Sequence, residues 1–94
     1  MTQQELAFEP APAPLLVLPA PAALSPEKRQ WWREWAERHA QAAHKTIAQY
    51  RRIHDKPETE DWMRAALRAT IAQYGAKAQM YEQYIDTINQ YEGN

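Results

Sequence analysis

The segment His54-Asp55-Lys56-Pro57-Glu58 separates two long stretches of helix-period sequence and decides the fold. Pro57 disfavours the α conformation at the residue before it, so a helix arriving from the N-terminal side has to stop there. Asp55 and Glu58 have the Asp-x-x-Glu spacing of a capping box, which favours the start of a new helix, and Thr59 is an alternative cap. Helices joined by so short a connection are antiparallel neighbours. The segment therefore predicts a helical hairpin with its turn at residues 55–57.

The first helix has a clear start and one apolar face. Ser25 stands in the N-cap position, Pro26 in the first helical position, and Glu27 near the positive end of the helix dipole. The residues of the apolar stripe then recur every three or four positions: Trp32, Trp35, Ala36, His39, Ala43, Ile47, Tyr50 and Ile53. This pattern predicts a helix over about residues 26–54.

The second helix has the most regular pattern in the chain. Its apolar residues alternate at steps of four and three: Leu67, Ile71, Tyr74, Ala78, Tyr81, Ile85 and Ile88. The pattern predicts a helix over about residues 58–91 that packs against the first one. Gly75 costs about 1 kcal/mol relative to alanine inside a helix, so we expect the Trp35 indole to pack closely against it.

Residues 1–24 are predicted to form an extended arm, because its prolines remove backbone donors and bias their neighbours away from the α conformation. One interpretation of this Pro/Ala-rich segment is a flexible linker. The other is a secondary contact with a neighbouring subunit, since a run of large aliphatic side chains suits an apolar groove. That run consists of Leu15, Leu16, Val17 and Leu18.

An isolated hairpin of this length is a marginal folding unit. Ordering about 65 residues requires more apolar burial than the two stripes supply to each other. The segment 27–54 carries seven basic and three acidic residues, whereas 57–94 carries three basic and six acidic ones, which favours pairing of the two helices or of several copies. We therefore predict an all-α, antiparallel two-helix hairpin, residues 25–94, completed by oligomerisation into a helical bundle or larger assembly.

Large side chains beside the apolar face of the second helix are expected to contact the partner. Tyrosine, tryptophan and methionine are enriched at protein interfaces. The predicted interface residues are Trp62, Met63, Tyr84 and Tyr91, together with Leu15, Leu16, Val17 and Leu18 of the arm. The first functional hypothesis is a non-enzymatic structural or adaptor subunit that acts through helix-mediated protein–protein association, in a homo-oligomer or with other protein subunits.

The start of the first helix supports a second hypothesis. Aromatic rings interleaved with cations can stack on bases or hold phosphates. The residues of this group are Lys28, Arg29, Trp31, Arg33 and Arg38. The alternative function is therefore a small nucleotide-binding or nucleic-acid-binding module that sequesters or inhibits. The net charge of −1 argues against a general nucleic-acid binder.

No motif indicates catalysis, a metal or a cofactor. The chain has no cysteine, its three histidines lack the spacing of metal ligands, and its two glycines cannot form a phosphate-binding loop. No serine lies in a recognisable nucleophile motif, so we expect no enzymatic activity and no catalytic residue. The N-terminus lacks a positively charged signal region and no apolar run is long enough to span a membrane. A cytoplasmic protein, or a component of a macromolecular assembly, is the expectation.

The second half of the chain resembles one known family in part. The pattern Trp62-x-x-x-Ala66-Leu67-x-x-x-Ile71-x-x-Tyr74 after a proline-containing turn is similar to the needle and inner-rod subunits of bacterial type III secretion. That resemblance implies a small helical hairpin that polymerises. The chain lacks the second turn proline of that family, and most of the shared pattern is a heptad repeat, so we assign no family.

Overall fold

The computed structural model describes residues 17–93, which form two long α-helices preceded by a short 3-10 helix at Pro21–Ala23. Helix α1 spans Pro26–His54 and helix α2 spans Asp61–Gly93. The two helices pack side by side in opposite directions, and residues 17–93 contain no strand. This arrangement confirms the prediction of an all-α helical hairpin. Neither helix combines the length and the hydropathy needed to cross a bilayer.

The N-terminus of α1 is capped as its sequence indicates. The Ser25 hydroxyl accepts a hydrogen bond from the Lys28 backbone N–H at 3.2 Å, and Pro26 occupies the first turn, where its missing N–H costs nothing. Glu27 places a carboxylate near the positive end of the helix dipole. The start of α1 is therefore determined locally by three consecutive residues.

The turn is longer than predicted, because α2 begins at Asp61 rather than at residue 58. Thr59 anchors the extra residues: its side chain is buried, its hydroxyl donates to the Ile53 carbonyl, and its N–H donates to the Lys56 carbonyl at 3.1 Å. Glu58 consequently lies outside the helix. The prediction of an Asp55/Glu58 capping box is therefore wrong.

Arg64 fixes the turn from the first turn of α2. Its Nε donates to the His54 carbonyl at 3.0 Å, and its Nη2 donates to the carbonyls of Lys56 at 2.9 Å and Pro57 at 3.4 Å. A helix leaves its last carbonyls without partners, and a guanidinium with several donors can satisfy them. One side chain of α2 thus caps the C-terminus of α1.

The register of the hairpin follows from the longer turn. The ring centroids of Trp35 and Tyr81 are 5.4 Å apart, and those of Tyr50 and Tyr74 are 6.0 Å apart. Gly75 does not contact the Trp35 indole, since a Cβ built at Gly75 would meet no atom within 4 Å. The predicted close packing of Trp35 on Gly75 is therefore wrong, because the added turn residues move Gly75 along α1.

Replacing Gly75 with alanine is expected to stabilise the hairpin by about 0.5–1 kcal/mol, because the glycine has no conformational or steric role in mid-helix. Its φ is negative and the space around its Cα is open. Thermal unfolding followed by circular dichroism should show a higher midpoint. Gly93→Ala, at the end of α2, is the matched control and should change the midpoint less. A lower midpoint for Gly75→Ala would contradict this account.

The interior has two parts. In the middle of the hairpin the buried side chains are small, which lets the helices approach closely: Ala40, Ala43 and Ala78, with Ile47 as the one larger residue. Near the open end lies a cluster of Ala36, Tyr84 and Ile88, with Ile88 completely buried. Larger, partly buried side chains pack around this cluster: Leu18, Trp32, Trp35, Tyr81 and Ile85. Most of the apolar burial therefore lies at the end far from the turn.

Residues 17–24 fold back onto the open end of their own hairpin. The Tyr84 hydroxyl donates to the Pro19 carbonyl at 2.7 Å, and the Arg29 guanidinium donates to the carbonyls of Pro21 and Leu24. Leu18 packs against the cluster at the open end. The segment also departs from a fully extended arm, because backbone hydrogen bonds close a 3-10 turn at Pro21–Ala23. The described part of the arm is thus part of the folded hairpin.

Candidate protein-interaction site

Two of the three predicted ligand-binding arginines, Arg29 and Arg33, belong to an ion-pair cluster at the open end. Arg29 Nε lies 3.1 Å from a Glu92 carboxylate oxygen, and Arg33 contacts the other oxygen of the same carboxylate. Arg33 Nε also donates to Asn89 at 3.0 Å, and the Arg29 guanidinium lies 4.9 Å from the centre of the Tyr91 ring. Both arginines therefore already have an anionic partner within the hairpin, and Arg29 has an aromatic one as well.

The pKa of the Glu92 carboxyl is lowered, chiefly by the hydrogen bond from Arg29 and further by Arg33. A carboxyl whose folded-state pKa is below its ordinary value of 4.5 stabilises the fold above that pH. This contribution disappears as the pH falls through the lowered value. We therefore expect Glu92→Gln to destabilise the hairpin at pH 7 and to differ less from the wild type at pH 3, below the ordinary pKa of the carboxyl.

Urea denaturation at both pH values measures this difference. Glu37→Gln, which changes an exposed carboxylate on α1 outside the cluster, is the control and should have little effect at either pH. An effect of Glu92→Gln that is independent of pH would show that the ion pair with Arg29 and Arg33 does not contribute to stability.

The other predicted ligand-binding residues do not converge on one place. Trp31 is half-exposed and stands edge-on to Trp32 at 5.0 Å, where the two rings line a shallow groove with Glu27 and Lys28. The Glu27 carboxylate opposes the binding of an anion in this groove. Arg38 lies two helical turns further along α1, beside a different surface depression. The group therefore offers Lys28 as the only cation next to the exposed ring of Trp31.

The four interface residues predicted on the second helix separate into different environments. Tyr84 lies inside the open-end cluster, where burial raises the pKa of its phenol and keeps the hydroxyl as a donor to Pro19. Its prediction as an outer contact is wrong for this hairpin, since residues 17–24 cover it. Met63 is half-buried, Tyr91 stacks beneath Arg29 while remaining about half-exposed, and Trp62 is 66% exposed.

The predicted arm contacts also separate. Val17 is almost fully exposed, whereas Leu18 packs onto the open-end cluster of its own chain. Leu15 and Leu16 lie outside the described residues. Val17 and Trp62 are thus the interface candidates that the structure leaves most accessible.

One surface that the sequence analysis missed lies on the side of α2 away from α1. It consists of the α2 positions that fall within about 40° of one line at 3.6 residues per turn. We call this set the outward face: Trp62, Ala65, Ala69, Ala72, Ala76, Met80, Gln83, Thr87 and Gln90. Eight of the nine side chains are exposed and Met80 is partly exposed. The face contains no charged residue over nearly the whole length of the helix.

The corresponding side of α1 is different. Its outward line carries charged and polar residues and one alanine at the same three-and-four spacing: Glu34, Arg38, Gln41, Lys45, Ala48 and Arg52. All of these are exposed, as expected for a helix face in contact with water. A solvated helix is normally polar on its outer side, so the uncharged face of α2 is the exception within one hairpin. The spacing of Ala65, Ala69, Ala72 and Ala76 in the sequence is the signal that predicts this face.

The histidines do not form a metal site. His44 Nε2 lies 2.8 Å from a Glu82 carboxylate oxygen on the surface, and His54 Nδ1 lies 2.9 Å from Asp55. The ring centroids of His39 and Trp35 are 4.3 Å apart, and His39 is exposed. The prediction that His39 belongs to the buried apolar stripe of the first helix is therefore wrong. Within residues 17–93, no three His, Cys, Asp or Glu side chains come together as metal ligands.

The geometry therefore points to surfaces rather than to a pocket with chemistry. The most distinctive of them is the outward face of α2, with Trp62 at one end. Comparison of the chain with known protein families, with curated proteins and with solved structures finds no match.

Proposed function

We propose that this chain is a non-enzymatic structural or adaptor subunit that works by helix-mediated association, and that a partner helix packs on the outward face of α2. The observation that carries the proposal is the contrast between the two outer sides of the hairpin. The α1 side is charged, while the α2 side exposes Trp62 and a line of alanines with no charge among them. An exposed apolar face of this kind is typical of a protein-interaction surface.

The small interior supports the same proposal. Only seven apolar residues of the described chain are buried, and four of them are alanines. Alanine burial contributes little, because hydrophobic stabilisation scales with the apolar area removed from water, at about 25 cal/mol per Å². A hairpin with this core gains substantially from covering a second helix face. Association would therefore stabilise the fold as well as join subunits.

The alternative of nucleotide or nucleic-acid binding has less support. Arg29 and Arg33, its two most central cations, are paired with Glu92, and Arg38 lies apart from Trp31. A ligand phosphate would have to displace Glu92 before it reached either guanidinium. We expect no increase in the thermal unfolding midpoint with nucleotides or short oligonucleotides.

The dependence of thermal unfolding on protein concentration tests the proposal. When folding is coupled to self-association, mass action raises the unfolding midpoint with concentration. For a dimer of chains of this size, we expect a rise of about 3–5 °C for each tenfold increase in concentration. If the midpoint stays constant between about 1 and 100 µM and no added protein partner raises it, the proposal is wrong.

A further inference from the structure

We propose that the outward face of α2 binds a second copy of the chain, with the two α2 helices antiparallel and Ala76 at the twofold axis. This inference rests on the proposed function and specifies the partner and its orientation. It follows from the order of residues along the face and from the charges beside it.

The outward face is arranged symmetrically about Ala76. Its members lie at equal distances before and after this residue, so an antiparallel copy places each position opposite another member of the face. The resulting pairs are Trp62 with Gln90, Ala65 with Thr87, Ala69 with Gln83, and Ala72 with Met80. Helix geometry gives any such face this symmetry about a residue on its centre line, and Ala76 is the residue about which all nine positions, from Trp62 to Gln90, fall within one contact.

Side-chain size favours the same orientation. Apart from Trp62, the half of the face before Ala76 carries alanines, and the half after it carries larger uncharged side chains. In the antiparallel pair Ala65, Ala69 and Ala72 each lie opposite a larger residue and Ala76 lies opposite itself on the axis, so the side chains interdigitate at a short helix separation. A parallel pair would place alanine opposite alanine and Met80 opposite Met80 of the partner subunit, which leaves gaps in one half and crowds the other.

The charges beside the face are also complementary in this orientation. One flank of α2 carries Arg64 and Arg68 before Ala76, with Asp61 paired to Arg64, and Glu82 and Asp86 after it. Antiparallel helices bring like flanks together, because the twofold axis relates them. Arg68 then lies beside Asp86 of the partner subunit, and the reciprocal pair forms at the other end, while Glu82 is paired with His44 of its own hairpin. Arg64 is already held by the carbonyls of the turn, so Arg68 is the cation that this pairing uses.

The opposite flank contains one cation, Lys77, close to the proposed axis. Its ammonium lies 5.6 Å from the centre of the Tyr74 ring, on the side of α2 that faces α1. The Lys77 charge is thus directed towards its own hairpin rather than across the outward face.

The helix dipoles also favour the antiparallel orientation, because the positive end of each α2 then lies beside the negative end of the other. A twofold contact of this kind is closed, so the expected product is a dimer.

Single-cysteine variants test the orientation directly, because the chain contains no cysteine. A cysteine in place of Ala76 lies on the axis, and mild oxidation should join two chains into a species of about 22 kDa, twice the chain mass, on a non-reducing gel. The same substitution at Ala65 should give no crosslink, because the two copies of this position are about 33 Å apart at 1.5 Å rise per residue. A disulfide requires Cα atoms within about 7 Å.

A mixture of Ala65→Cys and Thr87→Cys should form the heterologous crosslink that neither variant forms alone. Ala48→Cys, on the charged side of α1, is the matched control and should remain uncrosslinked. Efficient crosslinking through Ala65→Cys alone would show a parallel pair and overturn the inference. Failure of Ala76→Cys to crosslink, while the wild-type unfolding midpoint still rises with concentration, would also overturn it and leave the proposed association intact. A thermal unfolding midpoint that does not depend on protein concentration would show that the chain does not form a dimer.

Discussion

Replacing Ile88 with alanine is expected to lower the free energy of unfolding by about 3 kcal/mol, since truncating a fully buried isoleucine removes transfer free energy and leaves a cavity. Ile88 is completely buried, and it is the largest fully buried side chain of the described chain. Its neighbours include Ala36 and Tyr84. Tyr84 cannot move far to fill the cavity, because its hydroxyl donates a hydrogen bond to the Pro19 carbonyl. Small domains are stable by only about 5–15 kcal/mol, so this loss is large.

Urea denaturation monitored by circular dichroism measures the effect of Ile88→Ala. Ile53→Ala is the matched control, because Ile53 is 39% exposed and its truncation removes less buried area and leaves no closed cavity. We expect the control to cost about 1–2 kcal/mol, clearly less than Ile88→Ala. Equal losses for the two variants would mean that the open-end cluster is not the core of the hairpin.

A pair of charges on the outward face is expected to convert the assembled protein to monomer. Ala69→Glu together with Ala76→Glu would place carboxylates at the centre of the proposed contact, each without a cationic partner. Burying an unpaired charge costs several kcal/mol, so self-association should weaken at least about 100-fold. Sedimentation equilibrium measures this change, and circular dichroism should show that the isolated hairpin keeps its helix content.

The control for this variant makes the same chemical change on the other helix. Ala42 and Ala48 are exposed alanines of α1, and replacing both with glutamate adds the same net charge. Helix propensity changes equally in the two double variants, because each replaces two alanines with glutamates. We expect the α1 variant to associate like the wild type. Two double variants with equal association constants would exclude the outward face as the contact.

Much of the fold was predictable because its determinants are local. The start of α1 depends on Ser25, Pro26 and Glu27, which act through adjacent backbone groups. The alternating three-and-four spacing of the apolar residues then indicates which sides of the helices meet. Periodicity and capping together establish the all-α hairpin without any tertiary information.

The turn and the register were less predictable, because they depend on contacts between residues distant in sequence. Thr59 and Arg64 lengthen and fix the connection through carbonyls at the end of α1. The partner of Glu92 likewise depends on the register, although the opposite net charges of the two helices indicated that such pairs would form. The burial of Tyr84 required residues 17–24 to fold back, which no periodic pattern indicates.

The outward face was predictable in part. The heptad pattern of α2 consists of its large apolar residues, whereas the exposed alanines satisfy the same spacing on the opposite side of the helix. Only the placement of α1 shows that this second line of residues has no partner within the hairpin. Trp62 was recognised as an interface residue from its type, whereas the alanines beside it were not.

The mass of the purified chain in solution tests the central proposal most directly. Multi-angle light scattering coupled to size exclusion, at loading concentrations from about 5 to 500 µM, should give at least twice the chain mass of 11.0 kDa at the upper end. The proposed antiparallel dimer specifically predicts about 22 kDa. A single, well-folded species of 11.0 kDa across the whole range would contradict self-association through the outward face of α2.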